Sequence, residues 1–206
     1  MVEDRKGHWN KVYSNKSPEE LTWFQARPEA SLSLIRNAGI GPEARIIDVG
    51  GGTSLLSATL LEEGFVNLSV LDVSDRALEA AKSLLGPDSP EIEWFTSDLT
   101  DFEPPHRWDL WHDRAVYHFL TGNEDRHAYR RVLNESVEPG GHVVVATFAL
   151  DGPERCSGLE VVRYSPESLH AELGTLYELC GTVNETHRTP GGGTQEFVYS
   201  WFRKLS

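Results

Sequence analysis

Three consecutive glycines constrain this 206-residue chain more than any other stretch. Gly50, Gly51 and Gly52 follow the apolar run 44–50, "ARIIDVG", which is typical of a buried strand, and precede 54–64, "SLLSATLLEEG", which has a helical pattern. Glycine permits tight turns and lets a ligand approach the backbone closely. Because an ordinary turn rarely needs three glycines in a row, the stretch predicts a ligand site where the first strand ends.

Strand-like and helix-like segments alternate along most of the chain. Further strands are expected over 67–73, 91–98, 108–114 and 141–150, and further helices over 74–86 and 125–137. Such alternation gives a parallel sheet with helices on both faces. Near the C-terminus, a helix in "SPESLHAEL" is followed by "YELCGTVNETHRT" and "TQEFVYSWFRK", which predict an antiparallel hairpin around "PGGG". The predicted fold is therefore a doubly wound α/β domain with a mostly parallel seven-stranded sheet and a C-terminal antiparallel hairpin.

One domain over 1–206 is expected, with an N-terminal helical lid over 1–43 and a sheet core over 44–206. The lid segment is rich in aromatic side chains, and we expect it to fold over the ligand and exclude water. An aromatic face also suits a cationic ligand. These aromatic residues are Trp9, Tyr13, Trp23 and Phe24.

The net charge of −13 argues against nucleic acid or an anionic membrane surface as a partner, since both repel an acidic protein. The polar N-terminal residues predict no signal peptide, and no apolar run approaches the roughly 18 residues needed to span a membrane. Cys156 and Cys180 form no CxxC pair and no cluster with histidines, so the sequence predicts a cytoplasmic protein without a metal site.

The glycine turn does not fit the common nucleotide motifs. A dinucleotide fingerprint, G-x-G-x-x-G, fails because its third glycine position is Leu55, and a P-loop fails because its lysine is missing. Asp48 lies two residues before the first glycine, and its carboxylate suits a ligand with a cationic amine. A pyrophosphate would be repelled there.

Acids also end the second and third strands. Asp72 follows Gly52 by 20 residues and is placed to accept hydrogen bonds from both ribose hydroxyls. Asp98, followed by Leu99, is placed to receive an adenine amino group. Together, Asp48, Asp72 and Asp98 at three successive strand ends predict a site for an adenosine ligand that carries an amine.

On these motifs the chain resembles the class I S-adenosylmethionine-dependent methyltransferases. "IIDVGGGTS" resembles their glycine motif, "VLDVSD" their ribose acid, "FTSDL" their adenine acid, and "WDLWHDR" the strand beside their active site. Ser54 stands where many members have a third glycine. Within the family, "HWNKVYSNKSPEELTWFQ" and "HDRAVYHFL" are most similar to small bacterial enzymes and the citrate synthase lysine methyltransferase group, and "HDRAVYHF" also to the thiopurine methyltransferase group.

The resemblance implies S-adenosyl-L-methionine as the cofactor and S-adenosyl-L-homocysteine as its product. The residues predicted to bind the cofactor are Trp9, Tyr13, Trp23, Asp48, Gly50, Gly51, Gly52, Ser54, Asp72, Val73, Ser97, Asp98, Leu99 and Asp113.

Catalytic candidates follow the fourth strand. Asp113 is predicted to hold or deprotonate a substrate ammonium, and His118 to act as a general base because imidazole titrates near neutrality. Arg114 and His118 are candidate substrate contacts. The residues leave open that Asp113 only anchors a turn and that His118 is a buried structural residue. The segment 149–164 is expected to line the substrate side, with Cys156 packed rather than reactive.

The expected activity is methyl transfer to an amine or other nucleophile of a protein lysine or a small molecule, by a monomer or weak homodimer. Two alternatives remain: a non-catalytic S-adenosylmethionine-binding sensor or subunit, and an aminopropyltransferase. Aminopropyltransferases carry an acidic "DGG"-like stretch after the glycines, where this chain has "TSLL". Nicotinamide-dependent oxidation is opposed by Leu55, Asp48 and the terminal hairpin.

Overall fold

The computed structural model describes residues 4–205. The α-helices in this range are α1 (Arg5–Asn15), α2 (Glu29–Asn37), α3 (Leu56–Glu62), α4 (Asp75–Leu85), α5 (Asn123–Ser136) and α6 (Pro166–Leu173). The main sheet contains β1 (Arg45–Val49), β2 (Asn67–Asp72), β3 (Ile92–Thr96), β4 (Trp108–Arg114), β5 (Val137–Phe148), β6 (Tyr177–Arg188) and β7 (Thr194–Lys204). A small separate hairpin pairs Arg155–Cys156 with Leu159–Glu160.

The strand order of the main sheet is β3-β2-β1-β4-β5-β7-β6. Strands β1 to β5 pair in parallel, and β7 runs antiparallel to both β5 and β6. The predicted fold is therefore confirmed, including the reversed C-terminal pair. Because the order reverses between β1 and β4, the carboxyl ends of these two strands open a crevice in which α/β proteins bind ligands.

Apolar side chains from successive strand residues pack on opposite faces of the sheet. Ile46 packs with Leu32 of α2 and with residues of α3 and α4, whereas Ile47 packs with Tyr129 and Val132 of α5. This alternation is why the central strands are apolar on both sides and why helices cover both faces.

The predicted lid over 1–43 does not behave as one unit. Helix α1 has no buried residues and lies over the carboxyl ends of the strands, whereas α2 buries Leu32, Leu34 and Ile35 in the protein core. The apolar stripe of α2 accounts for this difference, since a helix with such a stripe is stabilised by packing on the sheet. Residues 1–3 and 206, which the predicted boundaries include, lie outside the described residues.

Strand β5 also begins earlier than predicted. It starts at Val137 rather than 141, because "EPGG" continues the strand and does not end it. Gly140 has φ +80°, a conformation that glycine adopts without steric penalty. Within residues 4–205, no helix is long and apolar enough to cross a membrane.

Candidate active site

The glycine turn after β1 is tied to the neighbouring strand. The amide N–H of Gly50 donates to the carbonyl oxygen of Leu71 at 2.6 Å, at the end of β2. Gly50 and Gly52 have φ of +62° and +46°, which disfavours any other residue. A side chain at Gly50 would also collide with Val116, and one at Gly52 with the hydroxyl of Tyr13.

Gly51 is required for a different reason. A Cβ atom there would lie 2.8 Å from Oδ2 of Asp48 and 2.9 Å from Cγ1 of Val70. Both distances are too short for real Cβ contacts. The three glycines therefore let β1, β2, β4 and α1 converge at one point.

A cavity of about 810 Å³ opens beside this turn, and we call it the main cavity. It is lined by ten of the residues predicted to contact cofactor or substrate, which are Trp9, Tyr13, Trp23, Gly50, Asp72, Val73, Ser97, Asp98, Leu99 and Arg114. Sequence reasoning missed a second group of lining residues, which are Arg5, Val49, Leu71, Ala115, Val116, Phe119 and Leu120; Cys156, in the segment expected to line the substrate side, also lines it.

Asp72 lies at the end of β2 and is only 6% exposed. Its Oδ1 accepts a hydrogen bond from the amide N–H of Ser74 at 2.8 Å. Burial raises the pKa of this carboxyl to about 7, although backbone N–H groups partly counter the effect. A ligand that donates hydrogen bonds to Asp72 would therefore favour its ionised form.

Asp98 follows β3 and pairs with a residue that the sequence did not single out. Nη1 of Arg5 lies 3.2 Å from both carboxylate oxygens of Asp98, and Nη2 of Arg5 lies 2.5 Å from Asp125. Thr100 donates to Oδ1 of Asp98 through its amide at 2.9 Å and its hydroxyl at 2.8 Å. Burial alone would raise the pKa of Asp98, but these hydrogen bonds and the charge of Arg5 leave it lowered.

Four aromatic rings form part of the lining of the main cavity, and we call them the aromatic wall. The ring centroid of Trp9 lies 5.1 Å from that of Phe119 and 5.8 Å from that of Trp23. Tyr13 lies 6.2 Å from Trp23 by the same measure. These edge-to-face contacts join α1 to the segment before α2 and to the turn after β4.

Asp113 does not line the main cavity. Its fully buried carboxylate accepts hydrogen bonds from the amides of Val116 at 3.0 Å and Tyr117 at 3.3 Å, and from the hydroxyl of Tyr129 at 2.9 Å. Burial raises its pKa to about 6. Asp113 thus anchors the turn in which Ala115 has φ +67°, and a catalytic or cofactor-binding role has no support in this geometry.

His118 lies behind the cavity wall and is fully buried. Its Nδ1 accepts a 3.4 Å hydrogen bond from the amide N–H of Phe148, and its ring packs against Phe119. Burial, followed by the charge of Arg114, lowers its pKa to about 3. A general-base role near neutrality therefore has no support in the structure.

Arg114 is the predicted substrate contact that does reach the main cavity. Its Nε donates to the hydroxyl of Tyr199 at 2.8 Å, and its Nη1 donates to the carbonyl oxygen of Trp23 at 3.0 Å. Its guanidinium lies 4.7 Å from the ring centroid of Phe197, and its Nη2 lies 3.9 Å from Glu185. These contacts fix one positive charge beside the aromatic wall.

A second cavity of about 520 Å³ adjoins the glycine turn on the side of β4, and it shares Trp23, Gly50 and Arg114 with the main cavity. The predicted cofactor residues Asp48, Gly51 and Ser54 line this second cavity rather than the main one. Ser54 is exposed, and its hydroxyl accepts a hydrogen bond from the amide of Leu56 at 3.1 Å.

Fold and site agree with the class of protein that the sequence motifs resemble. The glycine turn after β1, the acids after β2 and β3 and the reversed C-terminal strand pair are where the resemblance to class I methyltransferases places them, and the structure adds the strand order β3-β2-β1-β4-β5-β7-β6. The part of the chain that the structure describes has no group of three or more His, Cys, Asp or Glu side chains arranged to hold a metal ion.

Comparisons with known proteins point to the same class. Residues 47–143 match the family model described as "Methyltransferase domain". The chain is 29% identical over 112 residues to malonyl-[acyl-carrier protein] O-methyltransferase 1 of Ilyobacter polytropus, covering 53% of this chain and 40% of that protein. It is 31% identical over 102 residues to N-terminal Xaa-Pro-Lys N-methyltransferase 1 of Danio rerio, covering 48% and 45%. The chain thus spans less than half the length of both relatives.

The crystal structure of the N-methyltransferase NodS from Bradyrhizobium japonicum WM9, in complex with S-adenosyl-L-homocysteine, superposes with a TM-score of 0.73. The two chains are 17% identical, and the match covers 96% of this chain and 98% of NodS. The likeness to NodS shows the fold, and the methyltransferase domain match with these relatives supports a class I methyltransferase that uses S-adenosylmethionine.

Proposed function

We propose that the chain transfers a methyl group from S-adenosylmethionine to a small acceptor whose reacting group is neutral or anionic. One observation carries the proposal: Arg114 lines the main cavity together with the aromatic wall, whereas the two acids that line it, Asp72 and Asp98, are already engaged by backbone N–H groups and, at Asp98, by Arg5. Glu185 lies 3.9 Å from Nη2 of Arg114 but does not line the main cavity, so the lining beside the aromatic wall carries a fixed positive charge.

The chain has the side chains that the cofactor requires. Asp98 and Asp72 would hold the adenine amino group and the ribose hydroxyls, and the bare backbone of Gly50 would allow close approach of the ligand. Oδ2 of Asp48 is buried with no hydrogen-bond partner among the described residues, and it would suit the ammonium of the cofactor. When bound, S-adenosylmethionine supplies an electrophilic methyl group on a sulfonium.

The protein's own part in the reaction is placement and exclusion of water. The aromatic wall shields one side of the main cavity, and the faces of Trp9 and Trp23 suit a sulfonium cation. Helix α1 covers the cavity through Arg5, which pairs with Asp98 and Asp125 on two different elements.

A protein lysine fits this site poorly. A lysine ammonium, with an ordinary pKa of about 10.4, must lose a proton before it attacks a methyl group. The candidate bases His118 and Asp113 lie behind the cavity wall, and the charge of Arg114 disfavours a second cation. A thiolate, a carboxylate or an aromatic amine needs no such base. An acceptor oxygen also agrees with the name of the Ilyobacter polytropus relative, an O-methyltransferase.

The test is transfer of a radiolabelled methyl group from S-adenosylmethionine into a host lysate that is then separated by size. We expect label in the small-molecule fraction. Alkali-stable label on a protein would overturn the proposal in favour of lysine, because methyl esters hydrolyse in alkali and methylated lysine does not. Failure to label any fraction, while S-adenosylhomocysteine still binds, would favour the sensor alternative.

A further inference from the structure

Three buried side chains beside the glycine turn form a hydrogen-bonded chain, of which only Asp48 has a role in the proposed function. Nδ1 of His112 lies 2.7 Å from Oδ1 of Asp48, and Nε2 of His112 lies 2.8 Å from the hydroxyl of Ser31. Ser31, His112 and Asp48 are 0%, 2% and 4% exposed. They come from α2, β4 and β1, so the chain of hydrogen bonds links three separate elements.

The arrangement has the order of a Ser-His-Asp hydrolytic triad, but its burial argues against that chemistry. In such a triad the nucleophilic hydroxyl must face open space in which the reacting carbonyl carbon of a substrate can lie about 3 Å from it. Ser31 lies at the wall of the second cavity, but it has no exposed surface and its hydroxyl is held by Nε2 of His112. The network therefore acts on Asp48 rather than on a substrate of its own.

The hydrogen bonds account for one carboxylate oxygen and leave the other free. A neutral imidazole satisfies both contacts when its Nδ1–H donates to Asp48 and its Nε2 accepts the hydroxyl proton of Ser31. Oδ2 of Asp48 has no hydrogen-bond partner among the described residues, and Asp48 lines the second cavity. Leaving a buried carboxyl oxygen without a partner is unfavourable, so this atom is suited to a donor from a ligand in the second cavity.

We propose that Ser31 and His112 are positioning residues that orient the Asp48 carboxylate toward the ammonium of the cofactor's amino-acid end. This inference rests on the proposed function. The hydrogen bond at Oδ1 fixes the plane of the carboxylate, and the hydroxyl of Ser31 fixes the ring of His112 and its tautomer. The second cavity, which joins the main cavity at Gly50, then receives the amino-acid end of the ligand.

Without the hydrogen bond from His112, rotation of the Asp48 carboxylate would weaken the binding of the ligand ammonium. Its Oδ2 already lies against Gly51, where even a Cβ would come within 2.8 Å. A carboxylate that is free to rotate would present its charge to the second cavity for only part of the time. The ligand ammonium would then lose a charge-assisted hydrogen bond, whereas the adenosine end would lose nothing.

The test compares two ligands by titration calorimetry. S-Adenosylhomocysteine carries the amino-acid end, and 5′-methylthioadenosine lacks it. In His112→Leu we expect the Kd for S-adenosylhomocysteine to rise roughly tenfold to hundredfold, as for loss of a charged hydrogen bond, and the Kd for methylthioadenosine to stay within about twofold. Ser31→Ala should give a smaller change of the same kind.

His112→Asn is the rescue variant, because its side-chain amide keeps a donor near the position of Nδ1. We expect it to restore most of the S-adenosylhomocysteine affinity. Equal weakening of both ligands, or wild-type affinity for S-adenosylhomocysteine in folded His112→Leu, would overturn the inference. Wild-type protein that bound neither ligand would instead refute the cofactor assignment, and with it the proposed function.

Discussion

The carboxyl of Asp72 makes cofactor affinity depend on pH in a way that the structure predicts in sign and size. In the free protein its pKa is raised to about 7 by burial. Two ribose hydroxyls that donate to the carboxylate would stabilise its ionised form and lower that pKa. Binding should therefore release a proton, and affinity should increase as pH rises through 7.

The magnitude follows from the ionised fraction. An acid with a pKa of about 7 is roughly one-tenth ionised at pH 6 and roughly nine-tenths ionised at pH 8. Wild-type protein should therefore bind S-adenosylhomocysteine about tenfold more tightly at pH 8 than at pH 6. Asp72→Asn should lose this dependence and bind about 10- to 100-fold more weakly at pH 8, since a hydrogen bond to a charged group contributes about 1.5–3 kcal/mol.

Titration calorimetry at pH 6, 7 and 8, in two buffers of different ionisation enthalpy, measures both the affinity and the proton released. The Asp72→Asn substitution also tests the direction of the pKa shift through the stability of the protein. Because the folded pKa of Asp72 lies above its unfolded value, its ionisation lowers the free energy of unfolding as pH rises from about 4 to about 7. Asp72→Asn should then raise Tm at pH 8. Affinity independent of pH in the wild type, or an Asp72→Asn variant as tight as wild type, would refute the reasoning.

Three further predictions concern the glycine turn, the buried histidine and helix α1. Gly51→Ala should lower the free energy of unfolding by about 1–3 kcal/mol in urea titrations, because its Cβ meets atoms at 2.8 and 2.9 Å; an unchanged midpoint would contradict this. His118→Gln should keep the shape of the pH–rate profile, since His118 is neutral near pH 7 and lies behind the cavity wall; loss of a limb near neutrality would restore it as a base. Arg5→Ala should loosen the attachment of α1, which would appear as a red shift of Trp9 fluorescence and faster proteolysis. Lys6→Ala is the control and should change little, because its ion pair is exposed. Equal effects of the two substitutions would show that Arg5 does not hold α1 in place.

The sheet was predictable because its apolar periodicity is local in sequence. Each of β1 to β4 was anticipated within a few residues, and the hairpin of β6 and β7 followed from the glycine-rich turn between them. The division of the N-terminal segment between α1 and α2 was not predictable, because the same helical pattern fits a helix that covers a site and a helix that packs on a sheet. Tertiary packing of Leu32 and Ile35 decided that α2 belongs to the core.

The acids of the site were predictable for a similar reason. Asp72 and Asp98 end parallel strands, and the ends of parallel strands meet at one edge of the sheet. Asp113 also ends a strand, but the direction of its side chain depends on the turn at Ala115, whose positive φ has no signal in the sequence. Asp113 therefore has a suitable side chain, but the backbone conformation of the turn directs it away from the main cavity.

Pairings across the fold had no signal in the sequence. His112 contacts Asp48 and Ser31 over separations of 64 and 81 residues, and Arg5 contacts Asp98 over 93. Such pairs form only when the order of the strands and the path of the N-terminal segment are fixed. A lone arginine in a polar helix, or a histidine inside a strand, gives no indication of its partner.

We propose above that S-adenosylmethionine lies across the ends of β1, β2 and β3, with its adenosine in the main cavity and its amino-acid end in the second. A crystal structure of the protein with S-adenosylhomocysteine tests it most directly. We expect the ribose hydroxyls at hydrogen-bonding distance from Asp72, the adenine amino group at Asp98, and the amino-acid end beside Asp48. Ligand bound away from the glycine turn, or an adenine placed far from Asp98, would contradict the account.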